Sequence, residues 1–141
     1  MIDISSGDFQ IADGIIVKHS AKAENLIDFL RTNNAEIWDV GNGWVHYYLK
    51  NYKINDKYFF FDFMFYNEIL SRLDFGFYPE PVNNANWNDW SEETELQKKA
   101  EYEQWLNNET GGINSFTWGY VSAYYDSKSG GSGIMINYGR G

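Results

Sequence analysis

Few residues in this chain combine types and spacings that could do chemistry. Asp62 sits in YFFFDFMFY (58–66), where seven of nine residues are aromatic. A carboxylate so placed could serve as a general acid or base, or as the polar element of an aromatic recognition face. Acid–base work on most substrates asks for a second positioned group, and the sequence nominates none, so catalysis is the least favoured role. The plain structural alternative is a partly buried acid satisfied by a tyrosine hydroxyl or a backbone donor, because an unpaired buried charge costs several kcal/mol.

Other constellations are weaker. His19 and His46 stand in neither an HxH nor an HExxH spacing, and without cysteine a zinc site would need both plus carboxylates from separate elements. No metal and no cofactor are expected. Ser127, Ser129 and Ser132 lie beside glycines, but SGGSG matches no phosphate-binding loop and joins two strands instead of opening a helix. No GxSxG elbow supports serine hydrolysis. In NNANWNDW (83–90), Trp87 and Trp90 could stack on sugar rings while Asn84 and Asn86 bind hydroxyls, which makes a carbohydrate-binding module the alternative function. A surface loop anchored by two tryptophans has the same composition.

Length and charge bound the rest. The 141 residues suit a single α+β domain over 1–141. Cysteine is absent, so stability must come from packing and not from disulfides. The net charge of −9 disfavours nucleic acid and favours a basic partner. Acid concentrates in 81–110, where Asp89, Glu92, Glu93, Glu95, Glu101, Glu103 and Glu109 face only Lys98 and Lys99. The N-terminal residues lack a basic segment followed by an apolar run, and no stretch approaches a membrane span, so a cytoplasmic location and no membrane contact are expected.

The positioning elements follow from periodicity. Residues 9–18 read as a strand or short hairpin turning at Asp13-Gly14. Ser20 suits the cap of a helix whose apolar stripe is Ala23, Leu26, Ile27 and Leu30, with Asn33-Asn34 as a left-handed exit. Strands at 36–40, 44–54, 58–66 and 69–79, separated by Gly41-Asn42-Gly43, Asn55-Asp56 and Asn67-Glu68, make an antiparallel meander. Asp89 can cap a second helix with Glu92 at its third position, running to about Asn108 before Gly111-Gly112. Two strands over 116–138 close the chain. The order β-α-ββββ-α-ββ implies one curved antiparallel sheet of six to seven strands with two helices.

A two-residue turn at Asn67-Glu68 sorts the central hairpin by face. One face then carries Phe59, Phe61, Phe63 and Phe65 with Leu70, Arg72 and Asp74. The other carries Tyr58, Phe60, Asp62, Met64 and Tyr66 with Ile69, Ser71, Leu73, Phe75 and Phe77. Neither is polar, so the hairpin is either covered on both sides or exposes an aromatic surface. Two helices cover one face; the other needs the N-terminal strand, the proline loop, a second subunit or a partner.

Trp118-Gly119-x-Val121, then Tyr125-Asp126-x-Lys128-Ser129-Gly130, Ser132 and IMINY resemble the closing hairpin of small uncharacterised bacterial α+β proteins, some similar to toxin-system immunity proteins. The likeness extends over about 37–138 through FDFMFYNEILSRLDF and the acidic helix ending in Trp105-Leu106. It implies a stand-alone, non-enzymatic protein that neutralises a partner. The acidic helix would suit a basic toxin such as a nuclease.

The expectation is therefore a protein-binding module. Trp38, Trp44, Tyr47, Phe61 and Phe63 are its aromatic anchors, and Glu92, Glu93, Glu95, Glu101 and Glu103 supply charge. Self-association through the second aromatic face is the remaining option.

Overall fold

The computed structural model describes residues 1–12, 15–18, 21–81, 91–128 and 131–138. Two short strands, β1 (Phe9–Ala12) and β2 (Ile15–Val17), pair as a sheet of their own. Then come α1 (Ala23–Thr32), β3 (Glu36–Gly41), β4 (Trp44–Ile54), β5 (Lys57–Tyr66) and β6 (Ile69–Tyr78). The chain ends with α2 (Glu92–Thr110), β7 (Ser115–Phe116), β8 (Gly119–Asp126) and β9 (Gly131–Asn137). The main sheet has seven strands in the order β3-β4-β5-β6-β9-β8-β7, all antiparallel. This is the α+β architecture expected, with the meander intact and β9 returning to the edge of β6.

Turn chemistry explains the register at the hairpin ends. Asn67 and Glu68 both have positive φ, 49° and 69°, as a two-residue turn matched to strand twist requires. That turn also starts α1. Ala23 donates its N–H to the Glu68 carbonyl (2.8 Å), so the first turn of a helix without a side-chain cap is satisfied from the hairpin tip. The expected cap Ser20 and the turn Asp13-Gly14 lie outside the described residues, as does Asp89. The cap of α2 is Ser91, whose hydroxyl accepts from the Thr94 N–H (3.0 Å). Glu92 is accordingly the first helical residue and not the third.

The face assignment of the central hairpin needs correction. Tyr66 opposes Ile69 and Phe65 opposes Leu70, but the register then shifts and Met64 opposes Arg72. One extra residue, Ser71, bulges in β6, and every side chain beyond it changes face. Leu73, Phe75 and Phe77 join Phe59, Phe61 and Phe63, while Arg72 and Asp74 move to the face of Asp62. A second bulge falls in β4 between Leu49 and Tyr52, where Asn51 has φ 54°. It returns Tyr52 to the side of Leu49.

The corrected face is the core. Phe59, Phe61, Phe63, Phe65, Leu70, Leu73, Phe75 and Phe77 are each 3 % exposed or less. Phe9 of β1 packs on Phe61 and Phe75 (ring centroids 6.1 and 4.9 Å). Phe29 of α1 packs on Tyr52, and Trp105 and Tyr102 of α2 pack on Phe75 and Phe77. The N-terminal hairpin and both helices thus cover one and the same face. Where β6 and β9 cease to pair, beyond Phe75 and Ile134, α2 supplies the missing hydrogen bonds. The Tyr102 hydroxyl accepts from the Phe77 N–H (3.1 Å) and donates to the Phe77 carbonyl (3.0 Å). Glu95 accepts the N–H and the hydroxyl of Ser132 (3.2 and 3.1 Å). No helix is long and apolar enough to cross a membrane among the described residues.

Candidate functional site: the open face of the sheet

The opposite face carries His46, Tyr48, Tyr58, Phe60, Asp62, Met64, Arg72, Asp74, Tyr78 and Tyr124, all half-buried. Their strand positions place them in cross-strand rows. Tyr48, Asp62, Asp74 and Met135 oppose one another in succession, and in the next row Trp38, His46, Met64, Arg72 and Asn137 do the same. No described helix or strand packs over these rows.

A linked polar network runs through them. His46 Nδ1 lies 3.0 and 3.1 Å from the two oxygens of Asp62. An ionised carboxylate only accepts, so Nδ1 carries the proton and Nε2 is left without one when the ring is neutral. The Arg72 guanidinium grips Asp74 through Nε (2.7 Å) and Nη2 (3.0 Å), and the Tyr124 hydroxyl donates to Asp74 Oδ2 (3.1 Å). Burial is the main cause that raises Asp62 above the ordinary carboxylate value, with Asp74 adding to it, while His46 and Arg72 pull the other way. Burial and the neighbouring Asp74 carboxylate push the Tyr124 phenol up, which keeps it a neutral donor.

Aromatic walls enclose this floor. Trp38, His46 and Tyr48 stack along the edge of the sheet, with centroids 5.7 to 6.5 Å apart. Between Tyr48 and Tyr124 opens a groove of about 400 Å³ lined by Tyr48, Lys50, Asn51, Tyr58, Phe60, Asp62, Asp74, Tyr78 and Tyr124. Gly76 and Gly133 leave the space that Phe60 and Tyr124 occupy. A Cβ on Gly76 would meet the Phe60 ring at 2.5 Å, and one on Gly133 the Tyr124 hydroxyl at 3.0 Å.

The sequence-derived candidates divide sharply. Trp38 is on the open side and 55 % exposed. Trp44 is half-buried against Tyr66 (5.0 Å), at the hairpin end. Tyr47 lies on the covered side, against Phe65. Phe61 and Phe63 are 1 % and 0 % exposed, so they are core residues and not anchors for a partner. Among the acids, Glu92 and Glu93 are exposed, but Glu95 is engaged by Ser132, Glu101 pairs with Lys98 (3.7 Å) and Glu103 with Lys99 (3.2 Å). Trp87, Trp90, Asn84 and Asn86 lie outside the described residues, as does His19. Asp62 is in the site, but Asp74, Arg72, His46, Tyr48 and Tyr124 were not anticipated as its company.

Chemically, an imidazole oriented by a carboxylate is half of a general-base system. The hydroxyl within reach of His46 is the Tyr48 phenol, 3.4 Å from Nδ1, the nitrogen already engaged by Asp62. Among the described residues no three His, Cys, Asp or Glu side chains group so as to hold a metal ion. The arrangement also offers what binding uses, aromatic surface for contact area and carboxylates for orientation. No family model, curated protein or solved structure matches the chain.

Proposed function

We propose that the protein is a non-enzymatic binding module that holds a basic protein partner on the open face of its sheet, an immunity-type inhibitor of a basic toxin being the concrete form. The observation that carries this reading is the groove itself: aromatic walls over a carboxylate floor, reached by α2 at one end, where Lys98 lies 4.5 Å from the Tyr78 ring centroid. Aromatic anchors rimmed by charge are the usual composition of strong binding patches. The net charge of −9 would steer a basic partner toward it.

Self-association is favoured by a separate observation. Every residue of the edge strand β3 is exposed, including Ile37, Trp38 and Val40, and such an edge offers unpaired backbone groups to another strand.

One experiment weighs both. The immobilised chain is used for capture at low and high salt, captured proteins are identified, expressed and rebound singly, and the free chain is sized in solution. A basic protein that binds the wild type and is lost with Trp38→Ala/Tyr48→Ala supports the partner reading. A monomeric chain that captures nothing overturns it, and a dimer broken by Trp38→Lys assigns the edge to a second copy.

A further inference from the structure

The groove floor holds a carboxylate with acceptor capacity to spare. Arg72 spends Nε and Nη2 on Asp74, Tyr124 donates to the same carboxylate, and His46 gives one N–H shared between both oxygens of Asp62. Each carboxylate oxygen can accept about two hydrogen bonds, so Asp62 retains acceptor capacity on both oxygens. The floor thus offers a carboxylate with open acceptor positions. Among the charged side chains that line the groove, Asp62 and Asp74 outnumber Lys50, which is held toward Glu36 at 3.8 Å, while Lys53 and Lys98 lie over the rings of Tyr58 and Tyr78.

A ligand suited to that carboxylate brings donors and positive charge, and a flat face to lie against rings. A sugar hydroxyl brings a donor but no charge to set against Asp62. An ammonium has three donors but no plane, whereas a guanidinium is planar, forks onto a carboxylate and stacks on aromatic faces. We propose that the groove receives the guanidinium of an arginine side chain on the partner, with Asp62 as acceptor and the rings of Tyr48 and Phe60 as walls. The protein source of that arginine rests on the binding reading above. Burial disfavours the Asp62 charge and His46 and Arg72 offset that only in part, so an incoming cation has a charge to neutralise.

The test is an NMR titration of the full chain with N-acetyl-arginine amide, its citrulline and lysine counterparts, and cellobiose. The arginine amide should shift the backbone signals of Tyr48, Asp62 and Asp74, with citrulline at least about tenfold weaker, as expected for loss of a charged hydrogen bond. Asp62→Asn should weaken arginine binding by a similar factor while keeping the dispersed spectrum of the wild type. Phe60→Leu, which leaves both carboxylates in place, should weaken arginine more than lysine. Equal binding of citrulline, lysine binding as tight as arginine, or cellobiose in the groove where arginine leaves the signals unmoved would each overturn the assignment. The two readings fail separately. A partner that binds through Trp38 with Asp62→Asn unaffected removes the arginine site and leaves the module, while arginine in the groove of a chain that captures no protein keeps the site and removes the partner.

Discussion

The two faces of the central hairpin are made by the same ten-residue strands, β5 and β6, yet they do opposite work. On the covered face, eight apolar side chains at 3 % exposure or less meet β1, α1 and α2, and no charged group is among them. On the open face, Asp62, Asp74 and Arg72 alternate with rings, and every residue of the set keeps part of its surface in water. What separates them is one bulged residue. Without Ser71 out of register, Arg72 and Asp74 would lie under the helices, and Leu73, Phe75 and Phe77 would face solvent. The bulge concentrates both apolarity and charge, which makes a sound core and a functional surface from one pair of strands.

The largest effect is expected where that contrast is erased. Phe63→Ala opens a cavity at a site that is 0 % exposed and should cost about 3–5 kcal/mol, a large share of the stability of a domain this size. Chemical denaturation checks it, and a change under about 1 kcal/mol would mean the face is not packed as described.

Next is the seam where β6 and β9 part. Tyr102→Phe keeps the ring on Phe77 but removes both hydrogen bonds to its backbone. A loss of about 1–3 kcal/mol is expected from leaving a buried N–H without its acceptor. Faster amide exchange at Phe77 would accompany it; an unchanged exchange rate there refutes the seam's dependence on α2.

The open face should behave in the reverse sense. The Asp62 carboxyl is raised in the folded state, so the folded protein binds its proton more tightly than the unfolded chain does. The resulting penalty is complete above the raised folded value, shrinks as pH falls through it and is gone below the ordinary 3.8. Asp62→Asn removes the penalty, and its side-chain oxygen still accepts from His46. The variant should therefore be more stable than the wild type at neutral pH, with the gap closing in acid. Denaturation across a pH series reads this directly, and a variant less stable at neutral pH would show that the His46 pair outweighs the burial cost. A stabilising loss of a charge is what a residue kept for function predicts.

How much of this the sequence disclosed depends on parity. The stripe Ala23, Leu26, Ile27, Leu30, the exit at Asn34 (φ 60°) and the turns at Gly41-Asn42-Gly43 and Asn67-Glu68 were legible, because helical period and turn residues are local properties. The composition of each face was not. Apolar positions in β6 switch from even, at Leu70, to odd, at Leu73, Phe75 and Phe77, and in β4 from odd, at Leu49, to even, at Tyr52 and Ile54. Those two switches are the signal of the bulges, and reading through them put Asp74 and Arg72 on the wrong side. Phe61 and Phe63 were mistaken for anchors for a related reason: both faces look apolar in sequence, and only the placement of β1 and two helices on one side decides between them. The bonds from Tyr102 to Phe77 join residues 25 apart through a helix, which no local pattern records.

The smallest effect on stability should come at the exposed rim. Trp38 is 55 % exposed on an edge strand and stacks only loosely over Tyr48, at 6.5 Å and 26°. Trp38→Ala should change stability by no more than about 0.5 kcal/mol, the usual range for surface substitutions away from special features. If the open face is a binding surface, the same substitution should cost partner affinity out of proportion to that small change, since exposed aromatics at interface centres often carry more than about 1 kcal/mol. Paired measurement of denaturation and capture on one variant separates the two. A Trp38→Ala chain that loses stability and binding in equal measure would make the indole a structural cover for Tyr48, and the contrast between the faces would then be one of degree.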